Sequence, residues 1–129
     1  MKRFRVVLGL VICAVGGAYA QGRPSEPKPD QAPIVELVGC LSQTGTDWIL
    51  ASATEPAVSS TTFTTPEEVK AAADKPLGTR QYQLLGTSPF APDHHKGHKM
   101  VVKGLLVKSG SDGRINLTSF QMLSETCAK

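Results

Sequence analysis

Lys99-Met-Val-Val-Lys-Gly-Leu-Leu-Val-Lys108, then Ser109-Gly-Ser-Asp-Gly113 and Arg114-Ile-Asn-Leu-Thr-Ser-Phe-Gln-Met-Leu123, is the stretch on which the fold turns. Val101, Val102, Leu105, Leu106 and Val107 crowd around Gly104, and a Gly/Ser/Asp cluster follows them. A β-branched run, a tight-turn cluster and a second apolar run read as a hairpin. The second strand breaks its own alternation. Ile115 and Leu117 share one parity, whereas Phe120 and Met122 share the other. Because strand side chains alternate with period two, such a phase change flips the core face unless an extra residue bulges out. Gly39 and Gly104 lie mid-strand, where glycine marks sharp bends. Bent strands around a limited core predict a small closed barrel better than a flat open sheet.

The rest of the chain supplies the remaining strands. Ile34 to Leu41 reads as the first strand, Ser42 to Asp47 as a polar turn containing Gly45, and Trp48 to Ala51 as the second strand. A small, Ser/Thr-rich stretch runs from Ser52 to Thr65. Thr65-Pro66-Glu67-Glu68 then places Thr at the N-cap, Pro at the first helical position and Glu two residues further on. That is a capping box with proline in its favoured place. Val69 to Asp74 continues the helix and Pro76-Leu77-Gly78 stops it. The helix is short and mostly polar, so it is expected over the barrel end or surface. Glu67 and Glu68 are explained as charges favoured by the helix dipole rather than as an acid/base pair. Arg80 to Thr87 is the third strand, and Ser88 to Gly97 is a loop. The expected architecture is all-β, a five-stranded closed barrel with one short inserted helix, over residues 34–129.

Upstream of the domain the chain reads as export machinery. Lys2, Arg3 and Arg5 precede an apolar run from Val6 to Val15, and Ala18-Tyr19-Ala20 forms a small-x-small end. Residues 1–20 are therefore expected to be a signal peptide cleaved between Ala20 and Gln21. The apolar run is too short to span a bilayer. Cys13 follows Ile12 rather than a small residue, so it is read as part of the leader and not as a lipid attachment point. Residues 21–33, with Pro24, Pro27, Pro29 and Pro33, read as an extended tether. The chain is thus expected in the periplasm or secreted, with no transmembrane segment in the mature form.

Removing the leader changes the charge. The 14 Lys and Arg exceed the 11 Asp and Glu by three, and three of those cations lie in residues 1–20, so the mature chain is formally neutral. A global nucleic-acid footprint is absent. The cations are nonetheless uneven, with Lys96, Lys99, Lys103, Lys108 and Arg114 together in the C-terminal third. Such a run is either a solvated strand face or a weak dock for anionic polymer or lipid head groups. Of the three cysteines, Cys40 and Cys127 survive processing. In an oxidising compartment they most economically form one disulfide closing nearly the whole domain; two separate buried thiols are the alternative.

With these motifs in order, a resemblance emerges. Val38-Gly39-Cys40-Leu41, Tyr82-Gln83-Leu84-Leu85-Gly86, His95-Lys96-Gly97-His98-Lys99, Val101-Val102-Lys103-Gly104 and a terminal Cys127 are similar to those of small exported bacterial OB-fold-like proteins of unassigned function. The resemblance spans roughly Val35 to Cys127. It implies an OB-like barrel with a short helix at Pro89 to Gly97, and it implies no catalytic residues; no cofactor is expected. The insertion carrying the Thr65 helix departs from that pattern.

Candidate sites follow from residue chemistry. His94, His95 and His98 are the only histidines, and neutral imidazoles this close suit Zn, Cu or Ni. A structural turn leading into the fourth strand is the favoured account of them; a periplasmic metal-binding protein using these three is the alternative to a binding module. Trp48, Tyr82 and Phe90 either fill the core or offer stacking faces. No nucleophile elbow, phosphate loop or zincin pattern is present, and a non-enzymatic function is expected. The leading expectation is an exported binding module of the cell envelope, engaging a glycan, an anionic polymer or a protein rather than nucleic acid. Its surface is expected at Phe90, His94, His95 and His98, with Lys99 and Lys103 beside them.

Overall fold

The structure, a computed structural model, describes residues 32–108 and 113–127. The expected leader, most of the tether and the tip of the last hairpin lie outside the described residues. In chain order the elements are β1 (Ile34–Thr44), β2 (Asp47–Ala53), β3 (Ala57–Val58), α1 (Pro66–Ala73), β4 (Arg80–Leu85), β5 (Lys99–Lys108) and β6 (Gly113–Ser124). Two 3₁₀ turns, Ser88–Phe90 and Pro92–His95, separate β4 from β5.

Five of the strands form a ring. β1 pairs with β2, β2 with β4, β4 with β6, β6 with β5, and β5 returns to β1. All of these pairs are antiparallel except β4–β6, which is parallel, with Tyr82 opposite Gly113 and Leu84 opposite Ile115. The two-residue β3 adds to the free edge at the start of β1, with Val35 opposite Val58. It is an element the sequence did not suggest, since Ala57 and Val58 stand alone among Ser, Thr and Pro.

The phase break in β6 has the physical cause anticipated for it. Lys103 lies opposite Ser119 and Gly104 opposite Leu117, which leaves Thr118 without a partner. This bulge turns Ile115, Leu117 and Phe120 all inward, although their sequence parities differ. Across the ladder Gly104 is indispensable: a Cβ there would lie 2.3 Å from the Asn116 carbonyl oxygen and 2.6 Å from Ile115 Cγ2. The strand curls because its neighbour approaches closer than any side chain permits.

Inside the ring the core is built from Leu37, Leu41, Leu50, Met100, Val102 and Ile115, with Trp48 and Tyr82 among them. Tyr82 is only 1% exposed. These two aromatics therefore fill the interior, as small rings of strands require, and offer no stacking face to solvent. A second, smaller apolar cluster lies outside the ring. There Ala72, Val69 and Leu77 of the helical insertion cover Val38, Val101 and Leu123. Fully burying a side chain such as Val101 is worth roughly 1.5–3 kcal/mol, and that gain holds a short helix that could not persist alone. The start of α1 carries the expected capping box: Glu68 N donates to Thr65 Oγ1 (3.2 Å) and Thr65 N to Glu68 Oε2 (2.7 Å). Cys40 on β1 and Cys127 beyond β6 form a disulfide across 87 residues of chain. No helix among the described residues is long and apolar enough to cross a membrane.

Candidate functional site

The connection from β4 to β5 brings several of the predicted residues together. Phe90 N donates to the Thr87 carbonyl (2.9 Å) and His94 N to that of Ala91 (3.2 Å), making two tight turns around buried Pro92. His98 N then donates to the His95 carbonyl (3.0 Å). Gly97 supplies the positive φ of 84° that lets the chain reverse there. Gly97 N donates to the Leu41 carbonyl (2.8 Å) and Leu41 N to that of His98 (3.0 Å), so the loop is fastened to β1 on both sides. It is a loop with a fixed shape.

On this frame His95 Nδ1 and His98 Nδ1 stand 3.3 Å apart, their rings nearly perpendicular. The His95 ring meets Phe120 edge-on with centroids 5.5 Å apart, and Phe120 in turn contacts Phe90 at 5.9 Å. Burial holds the His95 imidazole below its usual pKa of 6.5, and the neighbouring His98 and His94 lower it further. Neutral imidazole is the form that accepts a hydrogen bond or binds a metal ion. His94 is exposed and lies outside the hydrogen-bonded pair. Among the described residues no group of three or more His, Cys, Asp or Glu side chains converges on one point. The expected triad is thus a pair with a separate third histidine.

The two lysines expected beside the loop have other duties. Lys99 Nζ donates to the carbonyls of Ala73 (3.0 Å) and Lys75 (2.7 Å), satisfying acceptors left open at the end of α1. Lys103 is 0% exposed. Its ammonium donates to Glu68 Oε1 (2.8 Å) and Thr61 Oγ1 (2.9 Å), and Glu36 Oε2 lies 3.8 Å away. Expecting Lys103 on a binding surface is therefore corrected: it is the buried cation that fastens the helical insertion to β5. Its hydrogen bond is the main cause of the lowered Glu68 pKa, followed by the bond from the Thr65 backbone. Nothing local in the sequence marks Lys103 for burial, because Glu68 is 35 residues away. Phe120, the base of the loop cluster, was foreshadowed only by its reversed parity.

A separate cleft of about 510 Å³ opens between β2 and the end of α1, lined by Ser52, Asp74, Lys75, Leu77 and Lys99 among others. Ser52 adopts a positive φ of 49° at the point where the β2–β4 register shifts. Gly78 packs so closely there that a Cβ would lie 2.2 Å from the Ala53 carbonyl oxygen.

No family model, no curated protein and no solved structure matches this chain.

Proposed function

We propose that the protein is an exported, non-enzymatic binding module of the bacterial cell envelope, built as a small OB-like barrel. The observation that carries this reading is the order of the ring, in which β4 and β6 close it through the single parallel pair. A closed five-stranded Greek-key ring is the OB design, a scaffold whose business is recognition. The arginine- and lysine-led leader and the Cys40–Cys127 disulfide support an oxidising compartment outside the cytoplasm, periplasmic or secreted.

The recognition surface in this reading is the loop from Phe90 to His98. The outward positions of β2 and β4 carry Ile49, Ala51, Gln81 and Gln83, while Trp48 and Tyr82 point into the core. That face lacks the exposed aromatics on which bases or sugars stack. Lys99 and Lys103 are engaged within the protein, which weakens an anionic-polymer partner and leaves a glycan or a protein. The loop offers partly buried Phe90 beside exposed His94 and Lys96 on a rigid support.

The test is an NMR titration of the ¹⁵N-labelled protein with a muropeptide mixture as glycan probe and with polyphosphate as anionic probe. The reading predicts shifts in Phe90 to His98 with the muropeptides and none with polyphosphate. Shifts confined to the Ser52–Leu77 cleft, or turnover in a panel of ester, peptide and glycoside substrates, would overturn it.

A further inference from the structure

We propose that β6 and α1 form a docking groove for an extended peptide, which adds a strand to the unpaired side of β6 between Leu117 and Ser124. β4 pairs with β6 only from Gly113 to Asn116, while β5 occupies the opposite side of β6 along its length. Among the described residues no other main chain pairs with the β4 side of β6 from Leu117 onward. Each residue carries one N–H and one C=O, so such an edge presents a row of open donors and acceptors. Proteins blunt such edges with lysine, other charges or proline. Leu117-Thr-Ser-Phe-Gln-Met-Leu-Ser124 contains none of these. The bulge at Thr118 sits at the very start of the stretch. Gln121 and Met122 are successive residues on opposite faces, and both are exposed, as on an uncovered edge.

The edge runs beside a wall. Ser119 Oγ and Thr64 Oγ1 lie 2.7 Å apart, which ties the start of α1 to β6. A hollow of about 420 Å³ opens next to that contact, lined by Thr64, Pro66, Val69, Lys70 and Gln121. Ser119, Gln121 and Leu123 share the face of β6 over which the helical insertion lies. Alternate side chains of an added strand would therefore point into the hollow. Main-chain bonds to the edge supply affinity in this mode, and the hollow supplies side-chain selection. Pro66 and Val69 favour an apolar side chain there. Lys70, exposed and in no ion pair among the described residues, favours a carboxylate beside it. Phe63, which precedes Thr64, is 59% exposed and Met122 is 39% exposed, so both offer further apolar contact along the edge. A second copy added through a two-fold axis would bring its own α1 onto the same face; a lone peptide brings no such helix. The loop from Phe90 to His98 takes no part, so this groove and the muropeptide-binding reading can fail separately.

The test is a titration of the ¹⁵N-labelled, disulfide-intact protein with the capped peptide Thr-Val-Thr-Val-Thr-Glu-Thr, whose valines and glutamate share one face. The proposal predicts saturable shifts in Ser119 to Ser124 and in Glu67 to Lys70, with intermolecular NOEs from the peptide main chain to β6. A second peptide with lysine in place of the glutamate should bind about two- to fivefold more weakly, the size of an exposed charge pair. Lys70→Glu should reverse that order, and its melting curve guards against a loss of fold. No saturable shift at millimolar peptide would overturn the proposal. So would shifts confined to Phe90 to His98, or an unchanged order of the two peptides in Lys70→Glu. NOEs between the β6 strands of two copies in the absence of peptide would overturn it as well, because the protein itself would then fill the edge.

Discussion

Replacing Gly104 with alanine tests the curl of β5 against β6, and the expected sign is opposite to that for an ordinary strand. Gly104 does not sit at positive φ, so alanine carries no backbone penalty there. At an unstrained position Gly→Ala stabilises by about 0.4–1 kcal/mol, because the unfolded chain loses freedom. Here the added Cβ would meet the Asn116 carbonyl oxygen at 2.3 Å and Ile115 Cγ2 at 2.6 Å. Real Cβ atoms do not approach main-chain oxygen this closely, and the ladder cannot step aside without losing register on both strands. Overpacking a core costs about 1–3 kcal/mol. Since the obstacle is backbone rather than a flexible side chain, the upper end applies, about 3 kcal/mol. For a domain of this size that corresponds to a fall in melting temperature of roughly 12–24 °C. Thermal unfolding followed by far-UV circular dichroism measures it. A variant melting at or above the wild-type temperature would refute the close approach of β5 and β6, and with it the physical reason for the bulge at Thr118.

Other consequences follow from the same contacts. Replacing Cys40 and Cys127 together with serine should cost about 4.5 kcal/mol, the loop-closure value for a separation of 87 residues, read as a lower urea midpoint; an unchanged midpoint would mean that the ends of the ring are held without the link. Glu68→Gln should destabilise more than Lys103→Met in urea unfolding, because Lys103 is 0% exposed and cannot turn to water, whereas the Glu68 side chain is 37% exposed and can; the reverse order would show that Lys103 is not confined. The depressed Glu68 pKa also gives an acid limb: its contribution is complete above the unfolded value of 4.5 and is lost as pH falls through the lower folded value. Stability measured across that range should therefore fall less steeply in Glu68→Gln than in the wild type.

Much of the architecture was legible because its signals are local. Thr65-Pro66-Glu67-Glu68 encodes a helix start within four residues, and the helix begins at Pro66. The parity change between Leu117 and Phe120 encodes a bulge, which the ladder places at Thr118. What could not be read depends on which surfaces meet. Lys103 lies in an apolar run with outward parity, and only the arrival of α1 over β5 turns an exposed cation into a buried one. The same applies to Glu68, whose second carboxylate oxygen leaves the capping box for Lys103. At the candidate site the clustering of histidines was visible, but not their sorting into a facing pair and an exposed neighbour. That sorting arises from the turn at Pro92 and the reversal at Gly97. The Trp48 and Tyr82 side chains were undecided between core and surface until strand pairing set which parity faces inward.

The most direct test is the pairing of β4 with β6, the single parallel contact, without which the ring opens into a curved sheet. Inter-strand NOEs and hydrogen-bond couplings in the isotopically labelled protein report it residue by residue. A ring closed in this way requires a parallel register with Tyr82 beside Gly113 and Leu84 beside Ile115, and slow amide exchange along both strands. Freely exchanging amides on β4 with no cross-peaks to β6, or an antiparallel set of cross-peaks, would contradict it.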